Sequence, residues 1–190
     1  KSDPSKETPN LQFHVQPIST DILGASKLHD FDGITPTVAN IRPSSRGEIS
    51  IVSNDSRVNP KIKMNYLSTQ DDRIVAAQGL KLVRKIMLES ETFKKYEPEE
   101  YRPGVHITDD EELVKAGSEF KQTIFHPVGT CKMGKDDNAV VNDKLYTHGL
   151  KNLRVIDASI MPNITSGNTN APTIMIAEKG AEFILNNQTK

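Results

Sequence analysis

The sequence predicts an α+β fold in which antiparallel strands are flanked by helices. Three observations support this prediction. Residues 11–18 alternate apolar and polar side chains in part, which is typical of a half-buried strand. After residue 68 the apolar positions recur every three to four residues, as in an amphipathic helix. The chain then closes with a short apolar stretch, a Gly-rich loop and a further helical pattern, which together indicate a strand-loop-helix unit.

The first third of the chain contains four predicted strands. The strand at 11–18 follows a polar lead, and a loop rich in Gly, Asp and Pro separates it from strands in TPTVANIRP and GEISIVS. The turn SSRG (44–47) between these two segments indicates that they pair as an antiparallel meander. KIKMNYL (61–67) follows a proline and is the fourth predicted strand. We expect all four strands in one antiparallel sheet with the helices on one face.

Two helices are predicted from their start signals. Ser68, with Asp71 three residues later, predicts an N-cap, and the helical pattern continues to about residue 91. Thr108, with Glu111 three residues later, repeats the capping-box signature and predicts a second helix that ends near residue 121. Both helices would lay an apolar face on the sheet.

The last forty residues form the predicted strand-loop-helix unit. NLRVIDAS (152–159) is a predicted buried strand, and Pro172 is placed to favour the start of a helix through residues 173–187. We therefore divide the chain into residues 1–150, of which 1–10 are the polar lead, and residues 151–190.

Composition excludes several classes of function. Lys and Arg number 24 and Asp and Glu 25, so the net charge is −1 and neither nucleic acid nor an anionic membrane is indicated as a partner. No apolar run approaches the roughly 18 residues of a membrane-spanning helix, and no signal-peptide pattern is present at the start. We expect a cytoplasmic protein whose only membrane contact, at the inner membrane, would be peripheral.

The N-terminal residues indicate a piece of a longer protein. The sequence begins at Lys1, and a polar lead runs directly into the first predicted strand. A processed or trimmed full-length protein would look the same. The one cysteine, Cys131, excludes an intrachain disulfide, and we interpret it as structural because no base or basic cluster lies beside it in sequence.

The segment TIFHPVGTCKMG (123–134) places His126 on an irregular turn, where a hydrogen-bonded structural role is the simpler interpretation. The segment SGNTNAP (166–172) adds carboxamides in a Gly-rich loop just before a helix, although Asn170 could be only its N-cap. An imidazole can accept an alcohol proton or stabilise an alkoxide, and a carboxamide can orient the same oxygen. The start of a helix adds a positive partial charge that suits an anionic group.

Two other kinds of site are not indicated. His29, His106 and His148 show no metal-ligand spacing, so we expect no metal site. No GxGxxG motif follows any predicted strand, so the dinucleotide-binding fingerprint is absent from these residues.

Several blocks of sequence carry a family resemblance that runs nearly end to end. They are PNLQFHVQP, NIRPSSRGEI, NYLS, DDRIVAAQGLKLVRKI, PGV, HPVGTCKMG and LRVIDASIMPNITSGNTNAPTIMIAEKGAEFI. With these blocks the chain resembles the C-terminal part of the glucose-methanol-choline (GMC) family of flavin oxidoreductases. It is most similar to the branch of choline dehydrogenase and related alcohol dehydrogenases. The last two blocks are long and highly specific.

The resemblance implies a GMC substrate-binding domain in residues 1–150. Residues 151–190 would then complete an FAD-binding domain whose N-terminal half is absent from this chain. FAD is the implied cofactor of the whole enzyme and is not expected to bind this chain alone. By position, the resemblance places Asp157 and Ala158 at the phosphate and ribityl region of FAD, and Asn170 and Ala171 along the flavin ring.

The resemblance also implies an enzyme that oxidises a small primary alcohol by hydride transfer to the flavin. His126 and Asn168 fall on the two catalytic positions, and His14 falls on a histidine that lines the substrate cavity in relatives acting on choline. The residues that enclose choline in those relatives lie upstream, so the substrate stays open. The chain alone is expected to be inactive. The alternatives are a non-catalytic module that binds a small alcohol or cation, and a structural fragment without a ligand.

Overall fold

The computed structural model describes residues 1–21 and 26–188 and confirms the α+β class. Its internal contacts divide the chain into two compact units. Unit 1 comprises Lys1–Arg46 and Asn65–Gln122, and unit 2 comprises Gly47–Met64 and Thr123–Lys190. The division after residue 150 refers to the domains of the whole enzyme and stays a prediction.

Unit 1 consists of one antiparallel ladder and its helices. Strands β1 (Leu11–Gln16) and β2 (Thr35–Asn40) pair with Leu11 opposite Asn40. Helix α1 (Gln70–Arg84) packs against β2 and α3 (Asp110–Ser118); it continues as a π-helical turn, Lys85–Glu89, before the short α2 (Glu91–Lys94). The buried apolar side chains of this unit are Leu11, Val75, Ala77, Leu113 and Val114.

Both predicted helix caps are wrong by one residue. Thr69, not Ser68, caps α1, and its side chain accepts the N–H of Asp72 at 3.3 Å. Asp109, not Thr108, caps α3, where its carboxylate accepts two backbone N–H groups at 3.0 Å. The reason is local, because the cap is the last residue with an extended backbone before the helix begins. At α3 the carboxylate has the additional advantage of a negative charge at the positive helix end.

The predicted meander of the second and third strands is also not formed. Asp72, buried in the first turn of α1, accepts the backbone N–H groups of Ser44 (2.9 Å) and Ser45 (2.8 Å) and the side-chain amide of Asn40 (3.2 Å). The turn after β2 is therefore bound to α1 and does not close a hairpin. The strands consequently form two separate two-stranded ladders in place of one sheet.

Unit 2 contains the second ladder and the C-terminal helix. Strands β3 (Glu48–Ser50) and β4 (Lys61–Lys63) are antiparallel, with Ile49 opposite Ile62. A 3-10 turn, Ala158–Ile160, precedes helix α4 (Asn170–Gln188). The core of this unit consists of Val141, Leu145, Ile160, Met161 and Ile176.

The strand predicted at 152–159 is not formed among the described residues. Arg154 makes one isolated bridge to Tyr146, and the half-buried Val155 and Ile156 pack against the core of unit 2. An extended segment becomes a strand only when a neighbouring strand offers a ladder of hydrogen bonds. The single bridge supplies too few bonds for this.

Helix α4 carries large apolar side chains on its exposed side as well as on its buried side. Ile176 and Gly180 are buried, whereas Ile174 and Leu185 on the other face are 55% and 64% exposed. Glu178, Lys179 and Glu182 are also exposed, so the outer side of α4 combines apolar and charged side chains. No described helix is both long enough and apolar enough to span a membrane.

Candidate active site

The His126 loop begins with an unusual backbone. Ile124 and Phe125 both have left-handed conformations, with φ of +43° and +62°. For a β-branched or bulky residue this region is disfavoured, at a cost on the order of 1–3 kcal/mol per residue. The imidazole of His126 is half-buried, whereas the side chain of Phe125 is 84% exposed. The surrounding contacts must therefore hold this turn, and strain of this kind is common at functional sites.

Asn168 enters the site from a second loop with left-handed residues. Ser166 has φ of +60° and Gly167 has φ of +158°, immediately before Asn168. Helix α4 then begins at Asn170, so Asn170 is the first helical residue and not the N-cap that its sequence position also allowed. The carbonyl of Thr169 accepts the backbone N–H of Thr173 at 3.0 Å, which closes the first turn of the helix.

The two loops meet at the imidazole of His126. Its Nε2 atom lies 2.7 Å from the side-chain nitrogen of Asn168. Its Nδ1 atom lies 2.9 Å from Oγ1 of Thr169 and 3.3 Å from the backbone nitrogen of the same residue. Thr169 is buried, His126 is half-buried and Asn168 is exposed, so the three side chains lead from the interior of unit 2 to its surface. The predicted convergence of His126 and Asn168 is therefore found, while their catalytic roles stay a prediction.

Backbone hydrogen bonds attach the His126 loop to the core of unit 2. The N–H of Cys131 donates to the carbonyl of Ser159 at 3.0 Å, and the N–H of Met133 donates to Ile160 at 2.8 Å. Gly129 has φ of +93°, and a side chain there would bring a Cβ atom within 3.3 Å of a backbone oxygen. The glycine in HPVGT is thus required by the backbone conformation. The half-buried Cys131 has a free thiol, and its structural role stays a prediction.

Asp157 and Ala158 lie at the start of the 3-10 turn. The exposed carboxylate of Asp157 accepts the backbone N–H of Ser159 at 2.8 Å and its hydroxyl at 2.5 Å. Ala158 packs against the core of unit 2. In this arrangement Asp157 caps the turn, and its exposure leaves it accessible to a ligand.

Asn170 and Ala171 are exposed in the first turn of α4. The first N–H groups of a helix have no partner within the helix and carry a positive partial charge, which suits an electron-rich group. The small side chain of Ala171 permits close approach to the backbone. The residues present therefore fit a flavin at this end of the helix, next to Asn168 and His126.

His14 lies in unit 1, on β1, where it pairs opposite Thr37. Its Nε2 atom is buried and has no hydrogen-bond partner among the residues that the structure describes. A buried polar atom without a partner costs free energy, so it is a candidate for binding a ligand. Its predicted place in the substrate cavity stays a prediction.

Thr169 is a site residue that was not predicted from the sequence. It lies between the two asparagines of SGNTNAP, and its hydroxyl makes the closest contact to Nδ1 of His126. A usable signal was present, because Thr before a helix is an expected cap and Pro172, three residues later, has no N–H for that cap to accept.

Comparison with known proteins identifies the family. A model of the GMC oxidoreductase family matches residues 43–177. The chain belongs to the GMC oxidoreductase family. This confirms the resemblance that the sequence blocks indicated, and the matched range includes the His126 and Asn168 loops.

Individual members of the GMC family show how much of such a protein this chain represents. It is 44% identical over 185 residues to an alcohol dehydrogenase [acceptor] of Pseudomonas putida, which covers 97% of this chain and 33% of that protein. It is 40% identical over 188 residues to an oxygen-dependent choline dehydrogenase of Pseudomonas fluorescens (strain Pf0-1). That match covers 99% of this chain and 33% of the relative. The chain thus spans about a third of the curated relatives it matches.

A solved GMC structure supports the fold and the cofactor. A formate oxidase of Aspergillus oryzae RIB40, whose structure concerns modification of its FAD, superposes with a TM-score of 0.83 at 27% identity. The match covers 96% of this chain and 32% of the formate oxidase. FAD is therefore the cofactor that the family comparison supports, in agreement with the prediction from sequence.

Proposed function

We propose that this chain is the C-terminal part of an FAD-dependent oxidoreductase that oxidises the CH–OH group of a primary alcohol. The observation that carries the proposal is the contact of 2.7 Å between His126 and Asn168, which joins an imidazole and a carboxamide at the surface of unit 2. Both groups can bind one substrate oxygen, and the exposed Asn168 leaves that side accessible. The names of the relatives, an alcohol dehydrogenase and a choline dehydrogenase, support the same reaction class.

In this reaction His126 accepts the hydroxyl proton of the alcohol, and Asn168 donates a hydrogen bond to the same oxygen as negative charge develops on it. FAD, when bound, supplies the acceptor for the hydride that leaves the alcohol carbon. Loss of one proton and one hydride converts the primary alcohol to an aldehyde. Asn170 and Ala171 would hold the flavin ring, with Asp157 and Ala158 near its phosphate and ribityl region, and His14 would line the substrate cavity.

The partner in this proposal is the N-terminal FAD-binding half of the same protein. The relatives are about three times the length of this chain, and α4 presents an outer apolar face that no described residue of unit 2 buries. We expect the N-terminal half to cover Ile174 and Leu185 and to hold most of the FAD. The chain without that half is expected to be inactive.

The test is His126→Ala in the whole enzyme, followed by stopped-flow measurement of flavin reduction with a primary alcohol. We expect the rate constant to fall by about 10²–10⁴-fold, the usual contribution of a positioned acid-base group. His148→Ala is the matched control, because the ring of this exposed histidine of the same unit is hydrogen-bonded to the carbonyl of Gly134, at 3.2 Å. A wild-type rate for His126→Ala with normal substrate binding would show that His126 is a structural turn residue.

A further inference from the structure

Thr169 is the buried neighbour of His126. Only 7% of its surface is exposed, and two of its groups contact one atom of the ring: the hydroxyl lies 2.9 Å and the backbone nitrogen 3.3 Å from Nδ1. The opposite ring atom, Nε2, lies against Asn168. The imidazole is therefore held at one nitrogen from the interior, and its other nitrogen points to the exposed side.

The start of α4 explains why the Thr169 hydroxyl is available to a histidine. A threonine before a helix usually accepts the backbone N–H of the second or third helical residue. The third helical residue here is Pro172, which has no N–H. The carbonyl of Thr169 is fixed by the backbone N–H of Thr173 at 3.0 Å and by its hydroxyl at 2.6 Å. The backbone of Thr169 is thus anchored while its hydroxyl faces His126.

A hydroxyl is well suited to this position because it can donate or accept a hydrogen bond. It can accept from Nδ1 when that atom carries the ring proton and donate to Nδ1 when it does not. The hydroxyl can therefore bind Nδ1 in either tautomer, whereas the backbone N–H of Thr169 can donate only to an unprotonated Nδ1. A methyl group in place of the hydroxyl would leave only the longer contact with the backbone nitrogen.

We infer that Thr169 is the positioning residue of His126: it binds Nδ1 and directs Nε2 toward Asn168 and the substrate side. The inference rests on the proposed function of His126. Thr169 is buried and its hydroxyl contacts the ring, so its role is exerted through the imidazole. A rotated ring would move Nε2 away from the alcohol oxygen and slow proton transfer without a comparable effect on substrate binding.

The contact itself is tested on this chain by NMR, independently of any activity. Histidine side chains are labelled with ¹⁵N, and His126 is assigned from the signal lost in His126→Ala. We expect Thr169→Val, which is nearly isosteric, to change the ring nitrogen shifts and tautomer ratio of His126, and Thr169→Ser to retain them. Thr147→Val is the matched control, because it removes a hydroxyl bond to the carbonyl of Leu153 in the same unit. Unchanged His126 signals in Thr169→Val would overturn the inference.

The kinetic consequence is measured in the whole enzyme. We expect Thr169→Val to lower the rate constant of flavin reduction by about 10–10²-fold, as for a displaced catalytic group, with KM nearly unchanged. Thr169→Ser should restore most of the rate. If Thr169→Val does not fold, as judged by circular dichroism, Thr169→Ala carries the same test. Loss of rate in His126→Ala but not in Thr169→Val would overturn only this inference, whereas wild-type rates in both would overturn the proposed function.

Discussion

At the scale of single residues, Asp72 and His126 both depend on hydrogen-bond partners that are distant in sequence. Each is a polar side chain whose partners lie far away in sequence: Asp72 binds the end of β2 and the turn after it, 27 to 32 residues earlier, and His126 binds residues 42 and 43 positions later. The sequence indicates that these side chains can form strong hydrogen bonds. The sequence does not indicate which groups will be their hydrogen-bond partners, because several loops of the chain contain similar donors.

Asp72 offers a prediction of how stability depends on pH. Burial raises its pKa, but the hydrogen bonds from Ser45 and Ser44 outweigh burial and hold the pKa below its usual value. A carboxyl with a lowered pKa stabilises the folded state above its unfolded pKa, and this contribution is lost as the pH falls through the folded value. We expect Asp72→Asn to destabilise the chain by about 1–3 kcal/mol at pH 7 in urea unfolding.

The difference between wild type and Asp72→Asn should shrink as the pH is lowered below about 4, since the unfolded pKa of Asp is near 3.9. Asp71→Asn is the control, because Asp71 is exposed and its ion pair with Lys6, at 3.9 Å, should contribute little. A difference that persists unchanged to pH 3 would contradict this account of Asp72.

At the scale of elements, helix α4 is positioned by a close approach at Gly180. A Cβ atom at this position would lie 2.4 Å from Cγ2 of Ile156, which is closer than real side chains come. The half-buried segment around Ile156 therefore packs directly on the backbone of α4. This contact, together with the bonds that tie the His126 loop to the 3-10 turn, supports the start of the helix where Asn168 and Thr169 lie.

We expect Gly180→Ala to destabilise the chain by about 1–3 kcal/mol through overpacking, although Ala is the better helix former. Ile156→Ala in the same chain should recover part of the loss, so a double-mutant cycle in urea unfolding would show positive coupling. Gly117→Ala is the control, because its near neighbour is only the flexible end of Leu80 at 3.0 Å. A stabilising or neutral Gly180→Ala would show that the two segments separate easily.

At the scale of the whole molecule, the exposed apolar residues of α4 are the proposed contact with the N-terminal half. Ile174→Glu and Leu185→Lys place charges at that contact, each with the sign that suits its end of the helix. We expect little change in the thermal unfolding of this chain, since both side chains are more than half exposed. In the whole enzyme each substitution should weaken assembly and FAD retention, measured by flavin absorbance after gel filtration.

The control for the α4 substitutions is Lys151→Glu, which changes charge at another exposed position of unit 2. Full FAD retention by both Ile174→Glu and Leu185→Lys would show that the N-terminal half covers another surface. Loss of retention in the control as well would indicate a general effect of charge.

The sequence by itself determined the α+β class, the approximate helices and strands, and the residue types of the candidate site. Apolar spacing and turn residues are local properties, so β1, β2, α1, α3 and α4 could be predicted from short windows. The blocks around His126 and Asn168 are specific enough to identify the family without coordinates, in agreement with the match over residues 43–177.

Only the tertiary structure decided the caps, the strand pairing and the environment of His126. A helix cap depends on the backbone conformation of a single residue. For this reason the caps are Thr69 and Asp109, one residue after the predicted positions. Strand pairing depends on competing partners, and the bonds of Asp72 separated β2 from β3. The contact of Thr169 with His126 joins two loops 43 residues apart. Such a contact depends on how the intervening chain packs. A local sequence pattern therefore cannot predict which distant hydroxyl will lie beside the ring nitrogen.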